Sequence, residues 1–430
     1  MKNSNFYRDS DNEICRAFNG ENCREAPVMK IFLQKIPELM TVIMLITMFT
    51  QKPKPYFTYA LAAFIVFLVY DYYISRKEGR DFLPSFPKRK EIKILLLGLA
   101  VFYGLVLLAN ILLMDKESII AAVNLAYYSL PLFLFWWLRR RYPVEKGIEW
   151  GTMIGTAFCG LSGWWLMYKH IYNRMYGGPL LHPNLFGAWL TMTIPLTFYF
   201  IFKEKGKWQR MILSLSAAFQ MYCMYETDSR GTFAAFAIGI PLSVIIPLLI
   251  TGQKISPAIK KALAVLTIVS VIAGGGFFYF RQQSLDAKQK TGGERILMLQ
   301  ASVEMWKDHK LLGVGAARWK ENYYSPRYFP KKAQERTNSM PHNMPVFFLS
   351  TSGVIGLAGY IASVLATFWS LILLGKRTEL SISITLFAIF FVFLLHGFVD
   401  KTIIHNITAQ LYYSFMGYLF AMASLLPEKS

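Results

Sequence analysis

"VFFLSTSGVIGLAGYIASVLATFWSLILL", Val346 to Leu374, contains no charged residue. A bilayer core of about 30 Å needs roughly 20 apolar helical residues, and this run supplies more. It predicts a membrane-crossing helix. Glycines recur at Gly353, Gly356 and Gly359, and the run is entered through Ser339-Met-Pro-His-Asn-Met-Pro. His342 therefore stands, behind Pro341, at the mouth of the helix. The rest of the chain must say which side of the membrane that ring faces.

Composition extends the membrane reading. Of 430 residues, 54% are hydrophobic and only 17% charged, which is unusual for a soluble domain. Apolar runs long enough to cross occur at 31–50, 56–74, 94–113, 119–138, 150–168 and 185–202. Further runs occur at 208–225, 233–250, 262–280, 346–374, 382–399 and 407–426. The expectation is an all-α polytopic membrane protein of about twelve spans. Its parts are a polar tail (1–30), nine spans (31–280), one large outer loop (281–341) and three more spans (342–430).

The formal charge of +20 suggests nucleic acid in a soluble protein. Here most of it falls in alternate loops: Arg76, Lys77 and Arg80, then Arg139–Arg141, then Lys203, Lys205 and Lys207, then Lys376 and Arg377. Such loops stay cytoplasmic. Both termini are expected there, the charge is a topology signal, and no nucleic-acid partner is needed. Residues 1–27 are polar, so no cleavable leader is expected. The four cysteines (Cys15, Cys23, Cys159, Cys223) form no CxxC and no disulfide framework.

The outer loop is too long for a plain turn, and long loops tend to carry function. Within it Ile296, Leu299, Val303 and Trp306 fall at helical spacing. They predict an amphipathic helix on the outer membrane surface, ended by Gly313-Val-Gly315.

The outer side also collects His182, Arg230, Arg295, His342 and Asp400. His342 reads either as an interfacial polar residue or as a base that takes a proton from a hydroxyl. Arg230 reads as a snorkelling or Asp228-paired arginine, and Arg295 as a lipid-phosphate contact. Alternatively both hold a diphosphate, which guanidinium binds through paired donors. His182 reads as more structural than catalytic. The one Asp-x-Asp, Asp9-Ser10-Asp11, lies in the tail, and HExxH, Walker A and GxSxG patterns are missing. Charged residues near mid-membrane are almost missing too, which argues against a proton-coupled transporter.

Taken in order, several of these stretches resemble the O-antigen ligase and polymerase-like membrane glycosyltransferases. Arg295-Ile-Leu-Met-Leu299 matches that family's Arg-x3-Leu pattern. His342-Asn343, nine residues, then Gly353-Val-Ile-Gly356 matches a second pattern. Ser229-Arg-Gly231, His182-Pro-Asn184 and the stretch from Trp306 to Gly315 are similar as well, and the "HGFVDK" element holding Asp400 loosely so. The resemblance implies a transferase of the bacterial inner membrane with a periplasmic site. Its donor would be a glycan on undecaprenyl diphosphate and its acceptor a sugar hydroxyl of lipid A–core. His342, Arg295 and Arg230 would be catalytic; His182, Asn184, Asn343 and Asp400 would contact substrate. It further implies inversion, with no metal and no other cofactor. A repeat-unit polymerase remains open within the family, and a non-catalytic transporter outside it.

Overall fold

The computed structural model describes residues 26–49, part of 62–79, 89–177, 182–251, 291–333 and 339–425. Its regular elements are helices: α1 (Ala26–Phe49), α2 (Lys90–Leu112), α3 (Lys116–Tyr127), α4 (Leu130–Arg141), α5 (Glu145–Tyr168), α6 (Pro183–Lys203) and α7 (Lys207–Glu226). There follow α8 (Arg230–Thr251), α9 (Thr291–Asp308), α10 (Trp319–Tyr323), α11 (Met344–Gly375), α12 (Leu380–His396) and α13 (Asn406–Leu425). The all-α expectation agrees with this.

The count of twelve spans does not. Among the described residues, five helices are long and apolar enough to cross a membrane: Lys90–Leu112, Lys116–Arg141, Pro183–Lys203, Arg230–Thr251 and Met344–Gly375. The reasons are local, beginning with the run at 150–168, where Trp150, Gly151, Gly155, Gly160, Gly163, Trp164 and Trp165 of α5 dilute the apolar residues. The run at 382–399 folds as α12, which ends at His396 and has only 17 residues. The runs in α1 and α7 carry Lys35 and Glu38, and Lys207, Gln209, Arg210 and Gln220. In α13, Gln410, Tyr412, Tyr413, Ser414, Gly417 and Tyr418 dilute the apolar residues. A run of sufficient length still falls short where polar and small residues lower its hydropathy. The run at 262–280 and most of 56–74 lie outside the described residues.

Small residues bring the helices close, as they do where lipid removes the hydrophobic drive to associate. In the α2–α11 pair, Gly98 faces Ala366 and Gly359 faces Phe102, so the two run antiparallel. Gly239 and Gly231 of α8 face Val392 of α12 and the following Val399. Gly187 of α6 lies against Thr232 of α8, where a Cβ would stand 2.1 Å from the Thr232 Oγ1. The first turns of α6 and α8 are therefore neighbours.

Charges at the other end of α6 form their own network. Lys146 bridges Glu149 (2.9 Å) and Glu204 (2.6 Å), Arg139 pairs with Glu145, and Lys203 with Glu379. From Asn184 to Lys203, α6 separates this basic end from the other by about 30 Å.

Helix α9 forms in the loop before α11, where the sequence expects an amphipathic helix. Met298, Ala301, Ser302 and Met305 are buried and the helix packs on α11, whereas Ile296 is 58% exposed. Buried Trp319 of α10 donates to the Ser302 Oγ (2.8 Å) and fastens the rest of the loop to it.

Inside α11, Gly353 adopts φ +66°, ψ −162° and breaks the helix. The neighbouring loop replaces the lost bonds. Val314 N donates to Ser350 O, Gly315 N to Thr351 O (both 2.9 Å), and Val354 N to Lys310 O (3.0 Å). The next residues are clamped to α2 and α3: Ala316 N donates to Asn110 Oδ1 (2.9 Å), and Arg318 pairs with Asp115 at 2.7 and 3.1 Å. A Cβ at residue 353 would sit 2.1 Å from Leu311 O. Backbone strain of about 1–3 kcal/mol, in a region open essentially to glycine alone, adds to that clash. Gly353→Ala is therefore expected to accumulate poorly in membranes, measured against Gly104→Ala, where the added methyl meets open space.

Candidate active site

Four chain segments meet at the end of α6 opposite the basic cluster. His342 takes φ +50°, a left-handed conformation uncommon outside glycine. Extended Asn343 follows and caps α11 through its Oδ1, which accepts from Val346 N (3.0 Å), with Pro345 in the first turn. The Asn343 Nδ2 donates to Phe398 O (3.0 Å), and Met344 N to Gly397 O (2.8 Å). The entrance of α11 is thus laced to the turn that follows α12. That turn folds back on itself, because Asp400 N donates to His396 O (2.9 Å).

Within this lacing the Asp400 carboxylate is 3% exposed and meets four groups. Its Oδ1 accepts from His342 Nδ1 (2.9 Å) and Lys401 N (2.7 Å). Its Oδ2 accepts from Asn184 Nδ2 (2.7 Å), and Arg295 Nη2 lies 3.9 Å away as a looser ion pair. Burial by itself raises a carboxylate pKa. The His342 hydrogen bond and the charges of His342, His396 and Arg295 outweigh it and hold Asp400 well below the usual range. An ionised carboxylate only accepts, so the His342 Nδ1 carries a proton, and in the neutral ring the Nε2 is the acceptor.

The sequence-predicted residues sort as follows. His342, Asn184, Asp400 and Arg295 form one connected group. Arg230 is the first residue of α8, half-buried, next to Ser229, whose Oγ accepts from Thr232 N (3.4 Å). His182 caps α6 by accepting from Asn184 N (3.3 Å), and its ring meets Tyr176 edge-on at 5.9 Å. The polar atoms of Asn184 and Asp400 are spent on protein partners; Asn343 likewise bonds backbone. Sequence reading passed over His396, whose Nε2 lies 3.4 Å from the Thr232 Oγ1 under Asp400. It also counted Arg174 only as a loop charge. Arg174 donates to Thr227 O, Asp228 O and Asn184 Oδ1.

The starts of α6, α8 and α11 converge here. Helix N-termini carry partial positive charge and unpaired N–H groups, and Arg230 and Arg295 add to it. Chemically, the end holds a buried aspartate, an imidazole oriented by it, and arginines suited to an anion.

The fold and this end together define an all-α polytopic membrane protein with an oriented histidine beside cationic side chains. Residues 215–361 match the family described as O-antigen ligase, and the match supports membership in that family of membrane glycosyltransferases. It contains Arg230, Arg295 and His342, leaves His182, Asn184 and Asp400 outside, and covers less than half of the chain. No curated protein matches the chain.

Proposed function

We propose that the protein transfers a glycan from undecaprenyl diphosphate to a sugar hydroxyl of lipid A–core, on the periplasmic side of the bacterial inner membrane. The observation that carries this reading is the His342–Asp400 pair, 2.9 Å apart, with Arg295 on the second carboxylate oxygen. His342 Nε2 takes the proton of the acceptor hydroxyl as that oxygen attacks the anomeric carbon. The bond to the diphosphate breaks, and direct displacement inverts the centre. Arg230 and Arg295 bind the diphosphate and stabilise the charge it carries away, a role that fixed cations perform without solvent reorganisation. The separation of this end from the basic cluster along α6 supports its periplasmic placement.

The test is reconstitution in lipid vesicles with an undecaprenyl-diphosphate glycan and two acceptors offered separately, with EDTA present throughout. Transfer to lipid A–core is the expected result. Transfer only to a second donor molecule would make the protein a polymerase. Loss of transfer in EDTA with recovery in Mg²⁺ or Mn²⁺ would remove the arginine mechanism.

The arginines allow a sharper prediction. Lysine keeps the charge but loses the planar fork that pairs with phosphate oxygens. Arg230→Lys and Arg295→Lys should each insert normally and lose most of their transfer, about tenfold or more for one charged hydrogen bond. Near-normal rates in both would reduce them to ordinary interfacial charges.

A further inference from the structure

Arg174 lies between α5 and α6, outside the region of family match, and its guanidinium joins the two halves of the site. On one side its Nε donates to Thr227 O (3.0 Å) and its Nη2 to Asp228 O (2.9 Å). Beside it, Met175 N donates to Glu226 O (2.9 Å). These carbonyls end α7, where helix C=O groups lack partners and carry partial negative charge. The turn they belong to is sharp, with Asp228 at φ +50°, and two residues later Arg230 opens α8. A strained conformation of this kind persists only where its surroundings hold it.

On the other side the Arg174 Nη2 reaches the Asn184 Oδ1 in a longer contact of 3.4 Å. Guanidinium only donates, so the amide oxygen of Asn184 must face it. The amide nitrogen is then turned to Asp400 Oδ2, where it donates at 2.7 Å. The Asp400 Oδ1 in turn receives His342 Nδ1. Donation runs from Arg174 through Asn184 to Asp400, and His342 donates to the same carboxylate from the other side. Arg174 is close enough to Arg295 and Arg230 to feel both charges: burial depresses its pKa, Asp228 and Tyr176 oppose this, and the two arginines add to it.

We propose that Arg174 is a positioning residue, which sets Arg230 and His342 at their working separation by holding the α7–α8 turn and the Asn184 amide together. The proposal rests on the reading of Arg230 and His342 given above. Lysine at this position keeps one charge but cannot span two carbonyls and an amide.

Arg174→Lys and Arg174→Gln test it, the milder variant standing if the other fails to fold. Two measurements separate its parts. Hydrogen exchange of the amides of residues 226–232 reads the turn without any substrate. Affinity for undecaprenyl diphosphate, together with the split of donor KM from kcat, reads the placement of Arg230. Faster exchange confined to the turn, and affinity about tenfold weaker or more with lysine giving no rescue, is expected. Unchanged exchange, or a loosened turn with wild-type affinity and KM, overturns the proposal. If the wild-type protein binds no undecaprenyl diphosphate, the diphosphate reading falls; faster exchange at the turn in both variants then still supports Arg174 as its holder.

Discussion

His342→Gln should retain the undecaprenyl-diphosphate glycan and transfer it about 10²–10⁴ times more slowly, the usual share of a positioned general base. Glutamine keeps a hydrogen-bonding side chain of similar reach and removes the basic nitrogen. Loss of a group that acts only as the proton leaves should appear in kcat and spare the donor KM. In the proposed mechanism donor binding rests on Arg230 and Arg295, which the substitution leaves in place. His342→Ala should behave alike, since Asn343 and not His342 caps α11. Wild-type turnover in the Gln variant would make His342 a spacer. Lost donor binding in a folded variant would place it in the diphosphate site.

Asp400→Asn carries the second large effect, for a reason the hydrogen bonds make explicit. The wild-type carboxylate faces only donors: His342 Nδ1, Asn184 Nδ2, Lys401 N and, more loosely, Arg295. An amide brings an N–H into this ring, and it must meet either Asn184 or His342. Meeting His342 reverses the tautomer, protonates Nε2 and leaves no acceptor for the sugar hydroxyl. The negative charge that stabilises the imidazolium is lost as well, so kcat should fall about 10²–10⁴-fold. Arg295 would meanwhile lose its competing carboxylate, so donor affinity should hold or rise. A drop in kcat with unchanged or tighter donor binding is the signature; near-wild-type turnover would detach Asp400 from the mechanism. Because the folded pKa of Asp400 is depressed, its ionised form contributes stability above the unfolded carboxylate pKa. That contribution is lost only as pH falls through the folded value, in strong acid. No part of a neutral-range pH profile should come from it.

Local signals were legible and long-range ones were not. His342, Asn343 and Pro345 announce the start of α11 because capping chemistry is written in neighbouring residues. Arg230 and Arg295 were visible from their place in loops expected on the outer side and from family patterns. The bond between His342 and Asp400 joins residues 58 apart, and no periodicity encodes it. Arg174 offered less still, since a single arginine in a short loop is the commonest reading of a span end. The surplus of expected spans has a local root: length was read before hydropathy, and α5, α7 and α13 carry glycine, tyrosine and polar residues within their apolar runs. The face of α9 that rests on α11, through Met298, Ala301 and Met305, went unread, because methionine and alanine carry little periodic signal of their own.

The break at Gly353 bears on the order of biogenesis. Residues 310–315 leave the ribosome before α11, and in the broken conformation of α11 they supply partners for Ser350 O, Thr351 O and Val354 N. In an apolar surrounding each such group left open costs several kcal/mol. The loop therefore acts as a template for the break in the incoming helix, so placement of the loop and settling of α11 become one committed step. A lesion in 310–315 should be met by quality-control proteases at the translocon, and reach the cell as missing protein instead of as a silent enzyme.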